Sequence, residues 1–228
     1  MPRFDAVLFD FSDTLFWRDG STRIAALAAQ CGVDLEGDPR PLRLWAEVRA
    51  RSVSASELAK RRDSSAEAHR RCWTELYRPF DAFAPDADPP FSVLIYNDSP
   101  NPDGWRPYSD TVPVLCALAE AGIPIGVVTD IGWDVRPVFH AHRSGSFVGA
   151  FVQSFEEGTE KPDPVMFLAA CDRLGVAPSR TLMVGDSITK DGGAAAAGLT
   201  AHVVPAWSGD GHRGLVDALS LLGLPLFG

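Results

Sequence analysis

Two acidic motifs at opposite ends of the sequence place the strongest constraint on how this chain can fold. The first, AVLFDFSDTL, puts Asp10 directly after a short apolar run at residues 6–9. The second, TLMVGDSITKD, puts Asp186 and Asp191 after a similar run at residues 181–184. Each run has the length of a buried strand. Because ligands bind at the carboxyl ends of strands in open parallel sheets, the sequence predicts that these three carboxylates meet.

A cluster of three carboxylates repels itself unless a cation lies among them. All-oxygen ligands of this kind are those that Mg²⁺ prefers. We therefore expect a magnesium site at Asp10, Asp186 and Asp191. The simpler interpretation is that Asp10 and Asp186 only cap the helices that follow them.

From residue 109 onwards the sequence alternates between helical and strand-like segments. The pattern predicts helices at 111–121, 135–142, 164–174, 192–197 and 215–222, and strands at 125–128, 147–152, 182–184 and 201–204. With a first strand at residues 7–9, this alternation predicts a parallel sheet with helices on both faces. The expected fold is a Rossmann-like, three-layer α/β core.

Residues 17–105 do not follow this alternation. Helical spacing recurs at 22–31, 41–52 and 55–77. A proline-rich stretch then encloses the apolar run 91–96, which fits either a short helix or a strand and which we interpret as the last helix. The sequence therefore predicts an α/β core of residues 1–16 and 106–228 with an inserted all-helical cap of residues 17–105.

The composition excludes several classes of function. A formal net charge of −9 argues against non-specific binding to nucleic acid or to anionic membranes, although a small phosphorylated substrate needs only a local positive pocket. No apolar stretch of the sequence is long enough for a membrane span, and the first residues lack a secretory signal. The four cysteines are widely spaced without a CxxC pair, so we expect a cytoplasmic protein with reduced thiols. The oligomeric state cannot be read from the sequence.

Two further residues are candidates for binding an anion. Thr129 follows the predicted strand at 125–128, where its hydroxyl can donate to a ligand at the edge of the sheet; the alternative is a helix cap. Lys161 precedes two prolines that stiffen its loop and can aim its ammonium into a site; the alternative is a solvated surface charge. The chain has three lysines against eighteen arginines, so a lysine within a motif is a specific signal.

Taken in order, these motifs resemble those of the haloacid dehalogenase superfamily of hydrolases. They are AVLFDFSDTL, the strand-end Thr129, Lys161 in KPDP, and GDSITKD followed by GGAAAAGL. The resemblance covers residues 4–16 and about 107–205. It implies that Asp10 is a nucleophile that forms an aspartyl intermediate, commonly by attack on phosphorus. A helical insert directly after the first motif is similar to the family's helical cap, which closes over the site and selects the leaving group.

The resemblance also implies roles for the other motif residues. Mg²⁺ is held by the nucleophile, the backbone carbonyl of Ser12 and Asp186, with Asp191 binding it directly or through water. Thr129 and Lys161 hold the transferring group. The implied function is that of a Mg²⁺-dependent phosphatase acting on a small phosphorylated metabolite.

One departure from the family pattern lies two residues after the nucleophile. The family's phosphatases carry an Asp there as general acid and base, whereas this chain carries Ser12, whose hydroxyl does not titrate near neutral pH. Acid–base help is typically worth ~10²–10⁴ in rate, so a phosphatase reaction should be slowed unless Asp13 takes the role.

Other reactions also stay open because of this departure. The protein could be a phosphonate (C–P) hydrolase that forms a Schiff base on Lys60, the only lysine of the insert. It could equally be a catalytically weak member that binds phosphate or a protein partner. A metal-free dehalogenase fits poorly, because Asp186 and Asp191 look like metal ligands.

Overall fold

A five-stranded parallel sheet forms the core of the protein. The structure is a computed structural model that describes residues 4–205 and 211–225. Its described strands are β1 (Ala6–Phe9), β2 (Phe16–Arg18), β3 (Trp105–Pro107), β4 (Ile125–Thr129), β5 (Ala150–Gln153), β6 (Thr181–Gly185) and β7 (Thr200–Val203). Five of them pair in the order β5–β4–β1–β6–β7, so the strand that carries the first acidic motif lies in the middle.

The α-helices of the described residues lie between these strands and after the last one. They are α1 (Gly20–Gln30), α2 (Arg40–Ser52), α3 (Ala55–Leu58), α4 (Ala66–Tyr77), α5 (Phe91–Asn97), α6 (Thr111–Glu120), α7 (Arg136–Ala141), α8 (Ser154–Glu157), α9 (Pro164–Leu174) and α10 (Val216–Leu222). The predicted helix at 164–174 is found with the same bounds, and the run at 91–96 is helical as interpreted.

The central strand β1 is apolar on both of its faces. Val7 and Phe9 pack on one side with residues of α6, α7 and α10, while Leu8 packs on the other side with residues of α9. The whole strand is buried, as expected for a parallel sheet that is covered on both faces. Phe9 pairs with Val127 of β4 and with Val184 of β6, so these strands end at one edge. The predicted three-layer α/β core is confirmed.

The five helices α1–α5 form a helical insert between β2 and β3, with a hydrophobic cluster of its own. Its most deeply buried large side chains are Ile24, Leu76, Phe80, Phe91 and Ile95. The chain enters and leaves the insert through a two-stranded antiparallel ribbon formed by β2 and β3. The sequence did not predict this ribbon, because each strand has three residues and β3 contains a proline.

The continuous helix predicted at 55–77 is wrong. The segment is divided into α3, a 3₁₀ turn at Arg62–Ser64 and α4. Arg61 takes a left-handed φ of 46°, and the Ser65 side chain caps α4 by accepting from the N–H of Ala68. Serine favours the N-cap over the helix interior, which explains the break. The predicted helix at 192–197 is a 3₁₀ helix instead. The strand predicted at 147–152 begins later, as β5 (Ala150–Gln153), because Phe147 lies in a 3₁₀ turn at Gly145–Phe147.

The 3₁₀ turn and α4 of the insert contact the core directly. The Asp63 backbone N–H donates to Glu160 at 2.9 Å, and its carbonyl accepts from the Ser154 hydroxyl at 2.5 Å. His69 lies against Gly132 so closely that a Cβ at position 132 would fall 2.3 Å from the imidazole ring. A glycine is therefore required for the insert to pack at this point. Within the described residues, no helix has the length and apolar character needed to cross a membrane.

The buried imidazole of His69 predicts a loss of stability in mild acid. Burial is the main cause that lowers the pKa of His69 from 6.5 to about 4; the charge of Asp63 opposes it, while those of Arg62 and Lys190 act in the same direction as burial. The His69 Nδ1 lies 2.9 Å from the Tyr96 hydroxyl. Between pH 6.5 and about pH 4 the unfolded chain binds a proton at His69 that the folded chain does not bind. The free energy of unfolding therefore falls as the pH falls through this range. We expect His69 to account for about 2 kcal/mol of destabilisation between pH 7 and pH 5.

Denaturant unfolding at pH 7 and at pH 5 checks this expectation. His69→Gln should lose less stability than the native protein on acidification, whereas a control substitution of the exposed His140 should retain the native pH dependence. An identical pH dependence in the native protein and His69→Gln would contradict the assignment.

Candidate active site

The carboxyl edge of the sheet brings three acidic side chains together. Asp10 follows β1, and its backbone N–H donates to the carbonyl of Val184 at 3.0 Å. Asp186 follows β6, and Asp191 begins the 3₁₀ helix Asp191–Ala197. One carboxylate oxygen from each lies within 4.8 Å of the others. The structure therefore places the three predicted carboxylates in one cluster, in which Asp10 and Asp191 are buried and Asp186 is more exposed.

The Lys161 ammonium lies between two of these carboxylates. It donates to Asp10 Oδ1 at 2.8 Å, to Asp191 Oδ1 at 2.6 Å and to the carbonyl of Val128 at 3.0 Å. Its backbone N–H is fixed by Asp130 Oδ1 at 2.9 Å, and the residue is only 3% exposed. Burial acts to lower the pKa of Lys161, but the charges of Asp10, Asp191 and Asp130 hold it above its usual range.

Asp191 is fixed at both carboxylate oxygens. Its Oδ2 accepts from the backbone N–H of Ser187 at 2.9 Å, while Oδ1 accepts from Lys161. The carboxylate passes directly over Gly185, where a Cβ would lie 2.2 Å from it. The glycine of the GDS sequence is thus needed for Asp191 to reach the lysine.

The donor set of this cluster fits a magnesium ion. All of its ligand atoms are carboxylate oxygens, which Mg²⁺ prefers. Burial raises the pKa of Asp186 to about 6, and the nearby charges of Asp13 and Asp191 act in the same direction. Burial also raises the pKa of Asp10, against the opposing effect of Lys161. A bound cation would relieve the crowding of negative charge that both shifts report.

Thr129 and Ser12 lie at the same edge. Thr129 is the last residue of β4 and is 1% exposed. Ser12 forms an isolated bridge with Phe16, and its hydroxyl donates to Asp13 Oδ2 at a long 3.4 Å. Asp13 has a left-handed φ of 61°, and its carboxylate accepts from Arg49 of α2 at 2.6 Å.

The simpler interpretation of the acidic motifs, that they cap helices, is not what the structure shows. The first helix after Asp10 has Asp19 as its N-cap, and the 3₁₀ helix after Asp186 has Lys190. The helix after Thr129 has Val135 at its N-cap position. Asp10, Asp186 and Thr129 are therefore not the N-caps of the helices that follow them.

A cavity of about 310 Å³ lies between this edge and the helical insert. It is lined by all six predicted site residues: Asp10, Ser12, Thr129, Lys161, Asp186 and Asp191. The insert contributes arginines and aromatic rings to the opposite wall. The three carboxylates and Lys161 therefore lie on one wall of a cavity whose size suits a small molecule.

Comparison with known proteins identifies the family. The model of haloacid dehalogenase-like hydrolases matches residues 4–198. The chain belongs to this hydrolase family. A glyceraldehyde 3-phosphate phosphatase of Methanopyrus kandleri is 34% identical over 197 residues, which cover 82% of this chain and 77% of that protein. A phosphoglycolate phosphatase of Thiobacillus denitrificans is 47% identical over 101 residues, or 44% of each chain.

Solved structures of haloacid dehalogenase-type proteins share the fold over nearly the whole chain. A phosphatase of this family from Thermococcus onnurineus matches with a TM-score of 0.62 and 24% identity, covering 96% of this chain and 98% of its own. A dehalogenase solved with an intermediate complex matches with a TM-score of 0.71 and 18% identity, covering 99% of this chain and 100% of its own.

The lysine required by a phosphonate hydrolase is not placed in this hydrolase's cavity. Lys60 donates to both carboxylate oxygens of Glu57 at 2.8 Å, and its side chain is 44% exposed. The described residues that line the cavity do not include it. The Schiff-base interpretation therefore loses Lys60 as its candidate, and the lysines among the described lining residues are Lys161 and Lys190.

Sequence reasoning missed several residues of the site. The sequence places Arg49 in a helical segment and Lys190 in the fourth motif, but it assigns neither to the site. In the structure, Lys190 pairs with Asp130 at 2.9 Å and with Asp63 at 3.2 Å. Four tryptophans also line the cavity, namely Trp45, Trp73, Trp105 and Trp133, and the last two belong to the buried core cluster as well. The scarcity of lysine was a usable signal for Lys190, but the position of Arg49 depends on how the insert packs.

The bridging position of Lys161 predicts an unequal effect of two lysine substitutions. Lys161→Met leaves two buried carboxylates without their cation, which should lower the free energy of unfolding by about 3–5 kcal/mol in EDTA. Lys60→Met removes the half-exposed partner of the buried Glu57, which keeps Arg51 at 4.0 Å, and should lower it by only about 1 kcal/mol. Urea unfolding of both variants provides the measurement, and equal effects would show that Lys161 does not compensate the cluster.

Proposed function

We propose that this hydrolase is a Mg²⁺-dependent phosphatase that acts on a small phosphorylated metabolite through an aspartyl-phosphate on Asp10. The observation that carries the proposal is the buried Lys161 ammonium, which holds Asp10 at 2.8 Å beside Asp186 and Asp191 in an enclosed cavity. The relatives named as phosphatases support the same reaction.

In this proposal Asp10 is the nucleophile. One of its carboxylate oxygens attacks phosphorus, and the bond between phosphorus and the leaving oxygen breaks with its electron pair on that oxygen. Water then attacks the aspartyl-phosphate, which releases inorganic phosphate and restores the carboxylate. The Lys161 ammonium, at 2.8 Å from Asp10, orients the carboxylate and offsets negative charge on the transferring group. Thr129, which ends the neighbouring strand, would donate its hydroxyl to a phosphoryl oxygen.

Asp10, Asp186, the backbone carbonyl of Ser12 and Asp191 would hold the metal. Mg²⁺, when bound, would supply positive charge that neutralises the phosphoryl oxygens and the nucleophile. Because both oxygens of Asp191 already accept hydrogen bonds, we assign it the role of positioning Lys161 as well as that of a metal ligand.

The expected substrate is a small molecule, because the cavity of about 310 Å³ is covered by the insert. All four cysteines are free in the structure, which supports the expectation of a reducing, cytoplasmic compartment.

Substitution of the nucleophile tests the proposed reaction. Asp10→Asn removes the charged oxygen that attacks phosphorus, so hydrolysis of 4-nitrophenyl phosphate and acetyl phosphate should fall to background while the protein stays folded. The native protein should lose activity in EDTA and regain it with Mg²⁺, and Mg²⁺ should raise its melting temperature. Activity retained by Asp10→Asn, or unaffected by EDTA, would overturn the nucleophile or the metal assignment, respectively.

The serine two residues after the nucleophile predicts a gain of function. Ser12→Asp supplies a titratable group for the leaving oxygen, so turnover of alkyl phosphates should rise by up to ~10²–10⁴. Ser12→Asn has a similar size without a titratable proton and should show no such gain. Steady-state assays of glycerol phosphate with all three proteins provide the comparison, and an equal response of the two variants would exclude acid–base catalysis as the missing function.

A further inference from the structure

Aromatic side chains form much of the cavity wall that faces the catalytic edge. The helical insert contributes the rings of Trp45, Trp73 and Tyr77, and the other side contributes Trp105 and Trp133. The Trp45 and Tyr77 rings lie 6.0 Å apart and nearly parallel, with an angle of 12° between them. The Trp105 and Trp133 rings lie 5.7 Å apart. A phosphorylated metabolite that carries only polar groups would make few favourable contacts with these aromatic rings.

Packing of the insert does not account for all of these rings. The insert has its own cluster, in which Trp45 and Trp73 are only partly buried and lie at the margin. Their remaining surface borders the cavity. Partly buried tryptophans around an enclosed cavity are typical of a site for an apolar or aromatic group.

The arginines of the cavity are already paired with carboxylates. Arg49 donates to Asp13 at 2.6 Å. Arg18 lies 3.4 Å from Asp98 and 5.7 Å from the centre of the Trp45 ring. Asp98 is shared with Arg23, which binds it at 2.5 Å, but the described residues that line the cavity include six aspartates against five arginines and lysines. The lining therefore has no excess of positive charge to attract a second negative group, and the part of the substrate beyond the phosphate is expected to be uncharged.

Arg62 completes the aromatic wall on the side of Trp73. Its guanidinium lies 4.8 Å from the centre of the Trp73 ring and 3.5 Å from Asp63. The cation fixes the face of the indole from one side. The ring is thereby held in place before a ligand enters, which lowers the cost of ordering it on binding.

Ser12 gives a second, independent argument that the leaving group is aromatic. Ser12 offers no titratable proton two residues after Asp10, and the carboxylate of the neighbouring Asp13 is held by Arg49 at 2.6 Å, so we expect the leaving oxygen to depart with little help. A phenol ionises with a pKa of about 10 and can depart as a phenolate, whereas an alkyl alcohol is a far weaker acid. The chemistry of the site and the shape of its wall therefore favour the same substrate class.

We infer that the natural substrate is a small, uncharged aromatic alcohol of the phenol type esterified to phosphate, with its ring bound between the tryptophans of the cavity. This inference rests on the proposed phosphatase function. The Asp10 carboxylate forms a bond to phosphorus, and the bond from phosphorus to the phenolic oxygen breaks with its electron pair on that oxygen. Water then cleaves the aspartyl-phosphate, so an aryl phosphate and water give a phenol and inorganic phosphate.

Four phosphate compounds separate ring recognition from leaving-group quality. Phenyl phosphate has both properties, benzyl phosphate has only the ring, acetyl phosphate has only the good leaving group, and ethyl phosphate has neither. The inference predicts the highest kcat/KM for phenyl phosphate. Benzyl phosphate should show a similar KM with a lower kcat, and acetyl phosphate a higher KM by about tenfold or more, as expected for the loss of a ring contact.

A substitution and its control test the wall itself. Trp73→Leu should raise the KM for phenyl and benzyl phosphate by about tenfold while leaving that for acetyl phosphate unchanged. Phe83 is another partly buried aromatic residue of the insert, but it lies outside the cavity lining. The control Phe83→Leu should therefore leave the KM for all three compounds unchanged. In the native protein, phenylphosphonate should inhibit more strongly than methylphosphonate, a measurement that does not depend on the folding of any variant.

The outcomes distinguish this inference from the function on which it rests. Equal inhibition by the two phosphonates, or ethyl phosphate cleaved as efficiently as phenyl phosphate, would overturn the aromatic substrate class and leave the phosphatase intact. If none of the four compounds is hydrolysed in the presence of Mg²⁺, including acetyl phosphate, then the proposed phosphatase function itself fails.

Discussion

The ion pairs of Lys161 with Asp10 and Asp191 are the interaction on which the rest of the site depends. Two unit charges of the same sign about 5 Å apart repel by about 3–4 kcal/mol in a medium of effective dielectric constant near 20. Three carboxylates confined within 4.8 Å of one another would therefore cost a large part of the 5–15 kcal/mol that is typical of whole domains. The buried ammonium removes much of this cost without occupying the position of a ligand. The ammonium can reach both carboxylates only if the loop before α9 is fixed in position. The hydrogen bond from the Lys161 backbone N–H to Asp130 fixes it.

The sequence predicted the features of the site that depend on strand ends. Asp10 and Asp186 follow apolar runs that can only be buried strands, and parallel strands that pair must end at one edge. Their meeting therefore required no knowledge of long-range packing. Lys161 was recognisable because lysine is scarce in this chain and two prolines restrict its loop.

The residues contributed by the helical insert were not predictable in the same way. Arg49 and Trp73 belong to amphipathic helices, whose periodicity shows which face is buried but not what that face meets. Their place in the cavity depends on the packing of the insert against the core, which includes the contact of His69 with Gly132. The ribbon of β2 and β3 was missed because three-residue strands carry too little pattern. Ser12, where the family's phosphatases carry an Asp, was visible in the sequence. Its effect on the reaction rate, however, depends on which leaving group the insert allows to bind.

The ribbon of β2 and β3 also restricts how the insert can move. The chain crosses between core and insert twice, and the two crossings are joined side by side, with Phe16 opposite Pro107 and Arg18 opposite Trp105. Two separate linkers could twist independently, whereas two paired strands bend as one ribbon. Any motion of the insert against the core must therefore carry both crossings with it, and it must also break the bonds of the Asp63 backbone to Glu160 and Ser154.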